Sequence, residues 1–142
     1  MRILFINNFL YRFGGVEASF FNQADVLKQY GHQILFFCAG HPENIDSNFK
    51  EFYVPYISNL KKSNIPGRFA AAINSVYSLA ARKSLKKLID KYKPDIAHIH
   101  NLQHYISPSV IYELKRHGIP VVMSLHSPKM VCAGNTLFNF ST

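Results

Sequence analysis

Acidic residues are scarce in this chain: eight Asp and Glu stand against sixteen Lys and Arg in 142 residues, a formal charge of +8. Cysteine is scarcer still. Cys38 and Cys132 lie far apart with no CxxC spacing, which leaves no basis for a disulfide framework or a cysteine-built zinc site and suits a reducing compartment. Long apolar runs are missing too, since stretches such as residues 34–40 fall well short of the ~18 residues a membrane-crossing helix needs. The apolar stretch that opens the chain is closed by Asn7 and Asn8, too soon for a signal peptide. The expectation is a soluble, cytoplasmic domain.

What is present suffices to fold. The chain is 48% apolar and 17% charged, a composition that buries a core and supports about one domain. Nine of the sixteen cations lie between Lys61 and Lys93, where Asp90 is the sole acid. Such density suits nucleic acid, an anionic lipid surface or a phosphorylated ligand, and equally a solvated helix face. Nucleic acid is set aside as a partner: the segment lacks the aromatic interleaving of a stacking platform, and no helix-turn-helix or RNP-like pattern occurs.

Hydrophobic periodicity alternates between strand and helix. Residues 2–8 form a compact apolar run, and a loop containing Gly14 and Gly15 follows. Phe20, Ala24, Leu27 and Tyr30 recur at helical spacing from Val16 onward, with Gly31 placed as the C-terminal cap. Residues 33–39 read as a buried strand, 40–50 as a loop and 51–56 as a short strand. A long helix is expected over 66–92, with Pro66 near its start, an inner stripe including Phe69, Ile73, Val76, Tyr77, Ala80, Leu85, Leu88 and Ile89, basic residues outside, and Pro94 as its stop. Residues 95–100 follow as a strand. Ser107 and Pro108 read as cap and first turn of a helix to His117, closed by Gly118. Residues 121–126 form the last strand, and 127–142 show no clear element. Apolar strands separated by helices mean an α/β domain with an open parallel sheet.

In such sheets ligands bind beyond the carboxyl ends of the strands. The first strand delivers Asn7, Asn8 and then Gly14, Gly15, Val16 and Glu17. The strand near 96–100 delivers His98, His100 and Asn101, and the last delivers Ser124, His126 and Ser127. Polar groups thus gather at one rim, which core packing does not require. Gly14 and Gly15 before a helix suit a tight turn and a phosphate at the helix start, although they form neither a dinucleotide fingerprint nor a P-loop. An ordinary loop, with Glu17 complementing the helix dipole, is the alternative. Period-2 geometry puts His98 and His100 on one face and Ile99 on the other. They suit a hydroxyl or a phosphate, or a core satisfied by backbone. A zinc cluster of His98, His100, His104 and His126 lacks an acidic or cysteine ligand at suitable spacing. Glu43 and Glu51 make an E-x7-E spacing without its glycine-rich context and read as coincidence.

The segments Gly14-Gly15-Val16-Glu17, Lys93-Pro94-Asp95-Ile96-Ala97-His98-Ile99-His100-Asn101 and Ser124-Leu125-His126-Ser127, in that order, resemble the amino-terminal half of family-4 glycosyltransferases. The opening Met1-Arg2-Ile3-Leu4-Phe5 and Tyr30-Gly31-His32-Gln33 fit as well, so the resemblance runs from residue 1 to about 135. Those are retaining enzymes of the GT-B fold, with two Rossmann-like lobes around a cleft. The resemblance implies that this lobe holds a glycan or lipid-linked acceptor while a second lobe holds the nucleotide-sugar donor. By motif, Gly14 and Gly15 approach the donor diphosphate, and His126 sits beside the transferred sugar as the catalytic residue. Glu17, His98, His100 and Asn101 line the acceptor side. The resemblance implies no cofactor and no catalytic metal.

Two departures stand out. No second lobe with its basic residue and E-x7-E pair occurs in residues 1–142, and Cys132 is followed by Ala133 where many relatives have Cys-Pro. The expectation is a single, truncated lobe whose carboxy-terminal donor-binding domain is absent, inactive alone, in polysaccharide biosynthesis. The alternative is a non-catalytic Rossmann-like module that docks on a partner chain. If the acceptor is lipid-linked, Lys61, Lys62, Arg82, Lys83, Lys86 and Lys87 are placed to bring the lobe to an anionic membrane at its inner face.

Overall fold

The computed structural model describes residues 1–56, 77–102 and 106–126. Four parallel strands, β1 (Arg2–Ile6), β2 (Gln33–Phe37), β3 (Ile96–Ile99) and β4 (Val121–Met123), form one sheet in the order β2-β1-β3-β4. Helix α1 (Gly15–Gln29) joins β1 to β2, α2 (Leu79–Tyr92) leads into β3, and α3 (Ser109–Arg116) joins β3 to β4. This is the Rossmann-like α/β architecture that the alternation of apolar runs and helices implies.

Burial on both faces explains the nearly continuous apolar strands. Leu4, Ile6, Leu35, Phe37, Ala97 and Ile99 meet Leu85, Leu88 and Ile89 of α2 and Val110 and Leu114 of α3. On the opposite face Ile3, Phe5, Ile34 and Phe36 meet Phe20, Phe21 and Ala24 of α1. The pairing fixes which side each residue takes: Phe5 lies opposite Phe36 on one side and His98 on the other. Gly31 and Gly118, at φ +79° and +68°, turn the chain after α1 and α3 in the left-handed region that glycine enters without a Cβ clash.

Several elements differ from the sequence expectation. The strands stop short, at Ile6, Phe37, Ile99 and Met123, so that the polar residues following them stand just outside the ladder. Residues 51–56 do not form a strand: a 3-10 turn spans Lys50–Phe52, and one parallel bridge joins Val54 to Ala39. One helix over 66–92 is likewise not what forms. Ser78 is extended (φ −100°, ψ 107°) and caps α2 by accepting from the Ala81 N–H at 3.2 Å. The expected start at Pro66, with Phe69, Ile73 and Val76, lies outside the described residues. Within α2 the buried face is Ala81, Leu85, Leu88 and Ile89, while Ala80 and Tyr77 are exposed.

Ser107 is not a helix cap either. Pro108 occupies the cap position of α3 without a side-chain bond. The Ser107 hydroxyl instead accepts from the Ser78 N–H at 2.9 Å and pairs with Ser109 Oγ at 2.6 Å, fastening the start of α2 to the start of α3. The same two helices are joined by an ion pair. Arg82 directs its guanidinium at Glu113, with Nε and Nη2 donating to Oε2 at 3.0 and 2.7 Å, and lies over the Tyr112 ring. Arg82 therefore does not belong to an outward basic face, because the buried Glu113 carboxylate requires a partner.

Leu88 is fully buried between α2 and the sheet, whereas Leu79 is 59% exposed. Leu88→Ala is expected to lower stability by about 2–5 kcal/mol, and Leu79→Ala by less than about 1 kcal/mol. Urea denaturation followed by circular dichroism compares the two. Equal losses contradict the packing described.

Candidate functional site

The chain leaves β1 for β2 on one side, then crosses to β3 on the other. The carboxyl ends of β1 and β3 therefore flank the topological switch point, where open parallel sheets form their ligand crevice. Backbone pairing continues one residue past the strands. The His100 N–H donates to Ile6 O at 2.9 Å, and the Ser124 N–H to Ile99 O at 2.8 Å. The Asn7 N–H reaches Phe37 O at 3.2 Å. Asn7, His100 and Ser124 are thus held at the rim by the sheet itself.

Three histidines converge there. His98 and His100 share the α1 face of β3, as their spacing implies, with Ile99 buried on the other. Their ring centroids are 4.2 Å apart. His98 Nε2 meets Ser124 Oγ at 2.8 Å, and His100 Nδ1 meets His126 Nε2 at 3.1 Å with the two rings stacked at 5.3 Å. Beneath them Phe5 stacks on His100 at 5.4 Å and Phe20 of α1 meets it edge-on at 5.0 Å. Only 3% of His100 is exposed, whereas His126 is open to solvent.

Those surroundings decide the charge state. Burial, then the neighbouring His98 and His126, lowers the His100 pKa to about 3, and burial followed by His126 lowers that of His98. Both rings are neutral near pH 7, so they suit hydroxyls rather than charge pairing with phosphate. The tautomer follows from the hydrogen bonds. His100 Nε2 is buried without a partner, and a bare lone pair there costs less than an unpaired N–H. With that tautomer His100 donates from Nδ1 to His126 Nε2, and the exposed His126 ring accepts.

The Gly14–Glu17 segment opens α1, whose Phe20 reaches His100. Gly14 caps α1 with an extended backbone (φ −161°) and no side-chain bond, and its carbonyl accepts from the Ala18 N–H at 3.0 Å. That conformation suits any residue, so a tight turn is not why glycine stands there. Nor does packing within the lobe require it, since both positions have room for a Cβ. A Cβ at Gly14 would sit 3.6 Å from Glu17 Oε2, whereas one at Gly15 would meet nothing within 4 Å. Both glycines are exposed and Glu17 is buried beneath them. Asn101 follows His100 directly and is half-buried. Gly14 and Glu17 are thus neighbours, His98, His100 and His126 form a second group, and Phe20 links α1 to the latter.

The sequence reading placed Asn7 at the rim without a bonding role and missed one further feature. Asn7 donates from Nδ2 to Phe9 O at 3.0 Å, but its Oδ1 is buried with no partner among the described residues. A ring cluster also lies on the same rim: His41 stacks on Tyr11 at 5.0 Å and meets Phe9 and Tyr56 edge-on at 5.0 and 4.6 Å. The alternation Phe9, Tyr11, Phe13 after β1 was its one signal. Glu51 pairs with Lys91 at 2.8 Å, consistent with a coincidental E-x7-E spacing. His104 and Ser127 lie outside the described residues, among which no group of three or more His, Cys, Asp or Glu is placed to hold a metal ion.

A family model described as Glycosyltransferase Family 4 matches residues 13–135. No curated protein matches the chain.

The lowered His100 pKa has a thermodynamic consequence. The unfolded chain binds a proton at this residue near pH 6.5, the folded one only near 3. Its contribution to stability is therefore complete above about pH 6.5 and is lost as pH falls toward 3. His100→Phe is expected to flatten the pH dependence of the urea midpoint between about pH 5 and 6.5, a window above ordinary carboxylate titration. An unchanged slope, or a wild-type His100 titrating near 6.5 by NMR, contradicts the buried neutral ring.

Proposed function

Given that the chain belongs to glycosyltransferase family 4, we propose that it is the acceptor-side lobe of a retaining, nucleotide-sugar-dependent enzyme. Family membership carries glycosyl transfer in general and, with it, a sugar donor and an acceptor. The observation that carries the finer reading is the rim itself. A neutral His98–Ser124 pair and a His100–His126 pair stand at the switch point, with Phe20 of α1 packed on His100.

In this reading the N–H groups of the first turn of α1, beside Gly14 and Gly15, face the donor diphosphate, where a helix start favours negative charge. Exposed glycines leave room for the approach. His126 donates from Nδ1 to the transferred sugar, and its partner His100, packed on Phe5 and Phe20, holds the ring in place. Such preorganised donors act where charge develops in the transition state. His98, Asn101 and Glu17 present hydrogen-bonding groups to a glycan or lipid-linked acceptor. No metal or cofactor is needed in this scheme.

The donor-binding lobe lies outside these 142 residues in this account, because no second Rossmann half occurs within them. A cytoplasmic enzyme of polysaccharide assembly fits the proposal. For contact with an anionic membrane, the exposed cations of α2 are Lys83, Lys86, Lys87 and Lys91, of which Lys86 is paired to Asp90 at 2.5 Å and Lys91 to Glu51 at 2.8 Å. Lys61 and Lys62 lie outside the described residues. No helix among the described residues is long and apolar enough to cross a membrane.

Two assays test this. The 142-residue chain alone is expected to turn over no nucleotide sugar, since positioning and electrostatic terms from the donor lobe are missing. Turnover by the lobe alone contradicts the two-lobe division. Fused to the donor-binding lobe of a family-4 relative, the chain is expected to transfer sugar with retained anomeric configuration. His126→Ala should then lower kcat by about 10²–10³-fold with little change in donor KM. A folded fusion indifferent to that substitution contradicts the role given to His126.

A further inference from the structure

Beyond the crevice, a cleft of about 460 Å³ runs from the rim along the flank of α1, lined by Tyr11, Arg12, Asp25, Lys28 and Glu43 over the edges of Phe21 and Phe36. We infer that this cleft is a distal acceptor subsite that takes an uncharged sugar unit of a glycan, stacked on Tyr11 and hydrogen-bonded by the charged side chains around it. That it serves an acceptor rests on the glycosyl-transfer reading; that it binds sugar does not.

Three observations carry the inference. The first is charge. Arg12 and Lys28 are balanced by Asp25 and Glu43, and Lys28 is paired to Asp25 at 3.2 Å. A wall with two cations and two anions gives no net attraction to a phosphate or a carboxylate, yet offers donors and acceptors to a polyhydroxyl ligand. The second is the mixture of surfaces. A sugar ring has a C–H face and an equator of hydroxyls, which calls for an aromatic wall with a few polar groups beside it. Tyr11, the exposed Ile45 and these side chains supply both.

The third is preorganisation. Asn44 staples the two loops that form the cleft: its Oδ1 accepts from the Leu10 N–H at 2.8 Å, and its Nδ2 donates to Ala39 O at 2.7 Å. The Ile45 N–H adds a bond to Leu10 O at 2.8 Å. Tyr11 is backed by the stacked His41 ring, itself fixed by accepting the Glu43 N–H on Nδ1 at 3.2 Å. Arg12 and Lys28 lie over the Phe21 and Phe36 rings, at 5.0 and 5.5 Å from the centroids. Groups held this way lose little freedom when a ligand binds. Burial, then the charges of Glu43 and Glu17, raises the Tyr11 pKa, so its phenol stays protonated near neutral pH.

Saturation-transfer NMR on the 142-residue chain tests the inference with maltotetraose, cellotetraose, mannotetraose and chitotetraose, against tetragalacturonate as the charged comparison. At least one neutral tetramer is expected to bind, with tetragalacturonate weaker. Tyr11→Ala should weaken binding about tenfold while Tyr11→Phe, which keeps the ring, stays within about threefold of wild type. Amide spectra of each variant report that it is folded. Binding of none of the neutral tetramers, preference for tetragalacturonate, or full binding by folded Tyr11→Ala each overturns the cleft assignment and leaves the transferase reading standing. Binding through Tyr11 beside a donor-lobe fusion that transfers nothing supports the cleft and removes the transferase reading instead.

Discussion

A parallel strand buried on both faces has no side on which to keep a polar group, and this constraint organises the whole lobe. β1 is the extreme case, paired to β2 and β3 on its two edges and covered above and below, with Leu4, Phe5 and Ile6 fully buried. Polar chemistry enters where the ladder ends or next to its end, as at His98, one residue before the end of β3. Asn7, His100 and Ser124 are the first residues past their strands, each still tied to a neighbouring strand through its backbone N–H. The sheet therefore keeps polar groups toward the carboxyl ends of its strands and fixes them there through the backbone.

Burial then sets their chemistry. An exposed histidine is an ambiguous group near neutral pH, but His100 between Phe5 and Phe20 is not. With its pKa lowered to about 3 it acts as a fixed neutral dipole, and the hydrogen bond to His126 transmits that fixity to an exposed ring. Apolar packing and hydrogen bonding thus work on the same side chain. Helix α1 takes part through Phe20, which supports His100, and in the proposed reading its uncapped first turn offers N–H groups to the same site. The acidic residues rare in the sequence are placed with equal economy, Glu113 holding Arg82 between two helices and Asp25 balancing Lys28 beside the cleft.

Much of this was legible in the sequence, for local reasons. Continuous apolar runs marked the strands, and period-2 spacing put His98 and His100 on one face. Glycines at 31 and 118 marked two helix ends through their positive φ. Where reading failed, a distant partner had intervened. Ser107 before Pro108 looked like a cap, yet its hydroxyl serves Ser78, 29 residues away. Arg82 looked solvated and is held by Glu113, 31 residues on. The ring cluster stayed hidden because Tyr11, His41 and Tyr56 come from three separate segments, and no local pattern records their meeting. At Gly14 the residue was legible but a turn is not its reason, since its φ is extended and a Cβ there would meet only an ordinary contact.

The central claim is that the rim at the ends of β1, β3 and β4 is one half of a sugar-transfer site. Mapping amide shifts of these 142 residues, fused to the donor-binding lobe of a family-4 relative, during titration with a series of nucleoside diphosphate sugars tests it most directly. The account predicts that perturbed residues cluster at 7–8, 14–17, 98–101 and 124–126. A map centred on the opposite ends of the strands, or on the α2–α3 face, contradicts it.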